Sequence, residues 1–286
     1  MALCAGRADI EIVAVDAMQV YRGMDIGTAK PTTADQAAVR HHGIDLVEPG
    51  ETFTVAEYQR AATAALTEIA GRQHTAVLVA GTGLYLTAVI DELTLPGEWP
   101  QIRAGLEAEL AADFDVENLH GRLAALDPDA AAKIERTNER RIIRALEVCL
   151  GSGRPFSSFG PGTSAYPDID TPQIGLRWPR EMLTERVAAR VHRMMDVGLL
   201  TEVKALIDRP GGPSRTALQA LGYKELAAHL RGDTTLDAAV AEIIIRTRQF
   251  AVRQERWFRR DPRIRWVDID HDPVAEVLPV VQEYLS

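Results

Sequence analysis

The chain has 286 residues, 46% of them hydrophobic and 26% charged, enough to bury a full core as one large domain or as one domain carrying a smaller insertion. Its formal net charge of -9 excludes wholesale coating of nucleic acid. No apolar run approaches the roughly 18 residues that a bilayer span needs, and the opening "MALCAGRADIE" is too short and too polar for a secretory signal, so no membrane partner and a cytoplasmic address are expected.

In chain order, the first predicted element is a strand over "IEIVAV", residues 10–15, a continuous apolar run that ends at Asp16. A second such run, "TAVLVAG" at 75–81, ends in glycine, and both read as strands buried on both faces of a parallel sheet. Between them "TVAEYQRAATAALTEIAG" predicts a helix: Thr54 and Glu57 stand at capping-box spacing, Tyr58, Ala61, Ala62, Leu66 and Ile69 share a face, and Gly71 ends it. Strand, helix and strand in this order make a right-handed βαβ unit, whose functional loops gather at the carboxyl ends of the strands.

From Pro96 to about Pro161 amphipathic helical segments follow one another with no strand-like run. Asp127-Pro128 starts one helix as N-cap and N1, and Asn138 caps the next, whose Ile142, Ile143, Leu146 and Leu150 form an apolar stripe. The chain then reads as an α/β core in two parts, 1–95 and 166–286, with a helical subdomain inserted at 96–165. In the second part "QIGLRW" predicts a short strand, a helical block runs from Arg180 to about Arg260, and "RIRWVDI" predicts a last strand.

Positive charge is unevenly spread. Six arginines against one glutamate lie between Arg246 and Arg260, and Arg140, Arg141 and Arg144 fall within about one helical turn. A chain with only four lysines (Lys30, Lys133, Lys204, Lys224) uses arginine everywhere, yet the two clusters together point to a phosphate-bearing partner. Cys4 and Cys149 lack the paired short spacing of a zinc or redox site and receive no role, and no metal-ligand set is assigned.

Six blocks in order, "VDAMQVYRGMDIGTAKP", "AGTGLYLTAVI", "RRIIRALEV", "ERVAARVHRMMDVGLLTEV", "ALQALGYKE" and "TRQFAVRQERWFRR", resemble the successive signatures of the bacterial tRNA dimethylallyltransferases, or tRNA isopentenyltransferases. The resemblance covers nearly the whole chain. It implies a P-loop-NTPase-like α/β core of the kind that binds nucleotides such as ATP, with an inserted helical tRNA-binding domain. It also implies transfer of a dimethylallyl group from dimethylallyl diphosphate to the exocyclic amine of an adenosine beside the anticodon, by a monomer that uses Mg²⁺.

Adenine's amine is a poor nucleophile because its lone pair is conjugated into the ring, so a carboxylate that accepts its proton lowers the barrier. The resemblance gives that role to Asp16, although an Asp after a strand equally suits capping of the turn. The leaving diphosphate gains negative charge as the carbon–oxygen bond stretches, and the resemblance assigns it to Arg190, with Arg186 four residues earlier on the same helix face. Surface pairing of Arg186 with Glu181 or Glu185 is the competing reading.

The resemblance places the tRNA anticodon stem-loop at four segments: Asp16, Ala17, Met18 and Gln19, with Gln19 expected to read the edge of a flipped-out base; Thr82; Arg140, Arg141, Ile142, Ile143 and Arg144; and Gln219, Ala220, Leu221, Gly222, Tyr223 and Lys224. The run "GMDIGTAK" is expected beside the phosphates. Arg103 is a further candidate for the tRNA, with solvated helix surface as its competing reading.

One departure is plain: the family's first strand and its G-x-x-x-x-G-K-[ST] phosphate loop have no counterpart here, and with them goes the hydroxyl ligand for Mg²⁺. Two expectations follow: a misplaced start upstream of Cys4, or a catalytically impaired tRNA-binding remnant of the family. A phosphoryl-transfer kinase is disfavoured, since nothing in the sequence cradles a nucleoside triphosphate.

Overall fold

The structure, a computed structural model, describes residues 1–113 and 115–285. Its first compact unit comprises residues 1–90 and 168–286, and its second comprises 91–167.

The first unit opens with β1 (Ile10–Val15), α1 (Thr33–Ala38), β2 (His41–His42), α2 (Val55–Gly71), β3 (Thr75–Ala80) and α3 (Gly83–Ile90). The second unit is helical, with α4 (Pro100–Asp113), α5 (Val116–Leu126), α6 (Pro128–Lys133) and α7 (Glu139–Ser152). The chain returns to the first unit with β4 (Gln173–Arg177), α8 (Arg180–Asp196), α9 (Leu199–Ile207), α10 (Tyr223–Leu230), α11 (Leu236–Phe258), β5 (Ile264–Asp268) and α12 (Pro273–Gln282).

Pairing is parallel throughout the described residues. β1 lies between β2 and β3, in register from Ile10 with Thr75 to Val15 with Ala80, while β4 pairs with β5 as a separate two-stranded sheet. All six residues of β1 are buried, five of them apolar as a central strand favours, with Glu11 the one charged residue among them. β3 corrects the expectation of burial on both faces: among the described residues it is an edge strand, only half-buried, and Val79 is 57% exposed. A continuous apolar run marks a strand but does not tell its place in the sheet.

Helix starts follow local chemistry. Thr54 and Glu57 form the reciprocal capping box of α2, and Thr32 with Asp35 forms one for α1. Asp127 caps α6 through the Ala130 N–H at 3.0 Å, with Pro128 at N1, and the same carboxylate accepts from the Ser157 N–H and hydroxyl at 2.7 and 2.8 Å. Asn138 caps α7.

Each unit has its own apolar core. In the first, Val13, Val15, Met24, Tyr58, Ile69, Val191, Leu199, Tyr223 and Leu226 pack together around β1. In the second, Leu106, Leu119, Leu123, Ile142 and Leu146 join α4, α5 and α7. Among the described residues no helix is long and apolar enough to cross a membrane.

Candidate active site

The carboxyl ends of β1 and β3 hold the first group of candidate residues. The chain leaves β1 at Asp16 and turns at once. Oδ1 of Asp16 accepts from the Met18 and Gln19 N–H groups at 2.7 and 3.2 Å, and the Ala17 N–H donates to the Thr82 hydroxyl at 3.0 Å. The capping role and the role as a base therefore fall on different oxygens of one carboxylate. Oδ2 makes no hydrogen bond among the described residues. It lies against Gly81, where an added Cβ would stand 3.0 Å from it.

The turn after β3 is held from the other side by α11. Gln254 Nε2 donates to the Gly81 carbonyl at 2.6 Å, and Gly83 packs so closely on Trp257 that a Cβ there would lie 2.2 Å from its ring. Neither Gln254 nor Trp257 stood out in the sequence, because both sit inside an arginine-rich helical run whose charges dominate the pattern.

Arg190 comes from α8. Its guanidinium reaches solvent but is crowded by protein, and this loss of hydration lowers its pKa from the usual arginine value. The charge of Asp16 acts in the opposite sense, and Arg193 adds to the lowering, so Asp16 and Arg190 lie within electrostatic reach of each other. Arg190 makes no hydrogen bond or ion pair among the described residues. Arg186, one turn earlier, sits 4.1 Å over the ring of Trp178 and pairs with neither Glu181 nor Glu185.

Below Asp16 the aromatic rings of Tyr58 and Tyr85 lie 4.7 Å apart, and the Tyr58 hydroxyl donates to the Ala14 carbonyl at 2.7 Å. Burial raises both phenol pKa values, and the Asp16 carboxylate pushes them further in the same direction. Both phenols therefore stay neutral under Asp16.

The loop between β1 and α1 is internally tied. Lys30 is buried, and its ammonium donates to the Tyr21 carbonyl at 2.8 Å and to Asp25 and Asp45 at 2.6 Å each. All three of its protons are spoken for, so this lysine pins the loop and offers nothing to a phosphate. Gln19 donates from Nε2 to the carbonyls of Thr28 and Ala29 at 3.1 and 3.3 Å.

The segment from Gln219 to Lys224 forms the turn into α10. Gln219 and Lys224 are exposed, Leu221 is half-buried, and Ala220, Gly222 and Tyr223 are buried. Gly222 takes φ +91°, which a residue with a Cβ rarely adopts, and its N–H donates to Glu225 at 2.9 Å.

In the helical unit the arginines divide. Arg140 and Arg141 are exposed on the first turn of α7 and have no ion pair among the described residues, whereas Ile142 and Ile143 are buried in the core beneath them. Arg144 is engaged with the carbonyls of Pro96 and Gly97 at 3.0 and 3.1 Å, and its Nη1 stands 3.0 Å from Glu147 as an ion pair without hydrogen-bond alignment. Arg103 makes a two-pronged pair with the same fully buried Glu147 at 2.9 and 3.2 Å. Burial works to raise the Glu147 carboxyl, but the bonds from Arg103 and the Trp99 N–H and the charge of Arg144 outweigh it, and the group lies below the ordinary glutamate value.

Among the described residues no group of three or more His, Cys, Asp or Glu side chains is arranged to hold a metal ion. The donor set around Asp16, one carboxylate with one oxygen already bonded, does not by itself fit Mg²⁺, which asks for six oxygens in a near-octahedral array.

Asp16 and the glycine turn at Gly81 stand at the carboxyl ends of parallel strands, with Arg190 of α8 within electrostatic reach, and the carboxyl ends of such strands are where α/β enzymes hold their ligands. The sequence profile of the IPP transferase family matches residues 19–261, and the chain belongs to that family. It is 48% identical over 261 residues to a protein of Thermobifida fusca named tRNA dimethylallyltransferase, a match spanning 91% of this chain and 81% of the relative. A protein of the same name from Desulforudis audaxviator is 44% identical, with 95% and 88% covered.

Among solved structures, the tRNA isopentenylpyrophosphate transferase of Bacillus halodurans superposes with a TM-score of 0.68 at 38% identity, over 99% of this chain and 91% of that one. A eukaryotic dimethylallyltransferase acting on tRNA has a TM-score of 0.80 at 22% identity, over 99% and 75%, a likeness of fold alone. The core is thus the P-loop-NTPase-like α/β fold that the ordered blocks implied.

Proposed function

We propose that this protein transfers a dimethylallyl group from dimethylallyl diphosphate to the exocyclic amine of the adenosine adjacent to the anticodon in tRNA. The observation that carries the reading is the division of labour at Asp16: Oδ1 is held by two backbone N–H groups while Oδ2 takes no hydrogen bond and has Arg190 within electrostatic reach. The relatives from Thermobifida fusca and Desulforudis audaxviator bear the name of this reaction.

In this mechanism the adenine nitrogen attacks the allylic carbon as the carbon–oxygen bond to the diphosphate breaks. Asp16 Oδ2 takes the amine proton as the new carbon–nitrogen bond forms, and the electron pair of the broken bond leaves with the diphosphate. Arg190 faces the growing negative charge, and its partial loss of hydration makes an anionic partner more favourable there than in open water. Arg186, already stacked on Trp178, is the second cation for the diphosphate.

Gln19 and Thr82 border the base, and Gln219 and Lys224 meet the RNA beyond it. On the helical unit Arg140 and Arg141 meet phosphates. Arg103 and Arg144, their charge balanced by Glu147, support that face. Mg²⁺ is expected to accompany the diphosphate rather than to sit in a protein cage, and no step above runs through it. The protein is proposed to act as a monomer in the cytoplasm.

The test is direct. Incubation with dimethylallyl diphosphate, Mg²⁺ and an unmodified anticodon stem-loop should yield a prenylated adenosine detectable by nucleoside mass spectrometry. Stem-loop binding with no product under any condition would overturn the reading.

A further inference from the structure

Glu202, on α9, has a carboxylate that accepts four hydrogen bonds. Its Oε2 accepts from the N–H groups of Asp25 and Ile26 at 2.9 and 2.8 Å, and its Oε1 accepts from the Gly27 N–H at 3.2 Å and from the Tyr223 hydroxyl. Three successive amides converging on one anion form a backbone nest. The fourth donor fixes the carboxylate from the opposite side. Tyr223 is buried against the same loop, since an added Cβ at Gly27 would lie 2.4 Å from its ring.

The loop so anchored carries the Thr28 and Ala29 carbonyls that receive both Nε2 protons of Gln19. Two carbonyls as partners dictate which way the amide faces, because a carbonyl cannot accept from the amide oxygen. Oε1 is left as the atom of Gln19 with no hydrogen bond. The Gln19 backbone N–H rests on Asp16 Oδ1 at 3.2 Å, so this free acceptor stands in the same turn as the proposed base.

We infer that Glu202 is a positioning residue for base selection: it holds residues 25–29 so that Gln19 presents an acceptor only, which favours a purine bearing an amine and disfavours one bearing a carbonyl at the same place. This rests on the proposed reaction at an adenosine. It goes further in naming how adenine is told from a 6-oxopurine. A free-standing glutamine would flip its amide and read either base; a glutamine with both protons committed cannot.

The test compares binding of two stem-loops, with turnover as a control. Two anticodon stem-loops, identical except for adenosine or inosine at the target position, are titrated against the protein and its Glu202→Gln variant, and KM for dimethylallyl diphosphate is measured alongside. The unaltered protein should prefer the adenosine loop by about 10-fold, the worth of one hydrogen bond made rather than opposed. In Glu202→Gln the preference should fall to about 3-fold or less, with KM for the diphosphate changed less than about 2-fold.

Retained preference in Glu202→Gln, or equal weakening of both loops, would overturn the inference, since a merely structural role loosens both alike. Should Glu202→Gln fail to fold, Tyr223→Phe removes one of the four donors while keeping the ring against Gly27, and a partial loss of preference, about 2- to 3-fold, is expected. An unchanged preference there overturns the inference as well. Transfer to adenosine by the unaltered protein is scored separately, so loss of the positioning role and loss of the reaction give different results.

Discussion

Asp16 and Glu11 lie on one strand and its exit, and they do opposite jobs. Asp16→Asn keeps an Oδ1 acceptor for the Met18 and Gln19 N–H groups and removes only the proton acceptor at the second position. Single-turnover transfer should therefore drop by roughly 10²- to 10⁴-fold with stem-loop affinity nearly unchanged. Glu11 is buried in β1 and receives the Arg72 guanidinium at 2.7 and 2.9 Å, His42 at 2.6 Å and His74 at 2.8 Å. Arg72 above all holds its carboxyl down to about 2, against burial, from an ordinary 4.5, and the two histidines add to the effect. A depressed carboxyl contributes stability that is fully present above the unfolded value of 4.5 and is lost as pH falls toward 2. Glu11→Gln should accordingly lower the melting temperature at pH 7, and the gap between the two proteins should narrow as the pH is taken from about 5 toward 2. A gap independent of pH would assign the loss to packing instead.

Helix α7 shows how one segment separates charges by the side of the helix they occupy. Arg140 and Arg141 have open guanidinium groups at its first turn, whereas Arg144, a turn on, is tied to Glu147 and two carbonyls. Replacing Arg140 and Arg141 with glutamine should flatten the slope of log affinity for tRNA against log salt by about one to two units, if each meets one phosphate. Replacing Arg144 should change that slope little and lower the stability of the helical unit, because it takes a cation from a fully buried carboxylate. An equal slope change from both substitutions would mean that Glu147 does not hold Arg144 in solution.

A core of its own in the helical unit allows a mutation to be confined. Leu123 is completely buried in the core of α4, α5 and α7, and Leu123→Ala should cost that unit about 2–5 kcal/mol. Hydrogen exchange should then speed up across 100–152 while the amides of β1 and α2 keep their protection. Uniform loss of protection across the chain would show that the two units unfold as one.

Much of the architecture was legible because it is local. β1 occupies the residues read as a strand, α2 begins at the Thr54 capping box and ends at Gly71, and Asp127-Pro128 and Asn138 start the helices assigned to them. These signals rest on hydrogen bonds and periodicity spanning a few residues. Four elements were missed, α3 and α12 as well as β2 and α1. β2 is a pair of histidines with no apolar pattern, a strand only because Ile12 and Val13 pair with it. α1 had a capping box at Thr32 and Asp35 that its polar, alanine-rich sequence hid.

What the sequence determined by itself, then, was β1, β3, β4 and β5, the caps of α2, α6 and α7, and the family. What only the tertiary structure decided was the partner of each charge. Lys30 was read beside phosphates and is consumed by Tyr21, Asp25 and Asp45; Arg186 stacks on Trp178; Arg103 neutralises Glu147, 44 residues away. Glu202 drew no notice at all, because the amides it holds lie 177 to 175 residues earlier. A charged side chain has a reach of several ångströms and no periodicity, so its role follows from whatever the fold brings beside it, and that is not written in its neighbours along the chain.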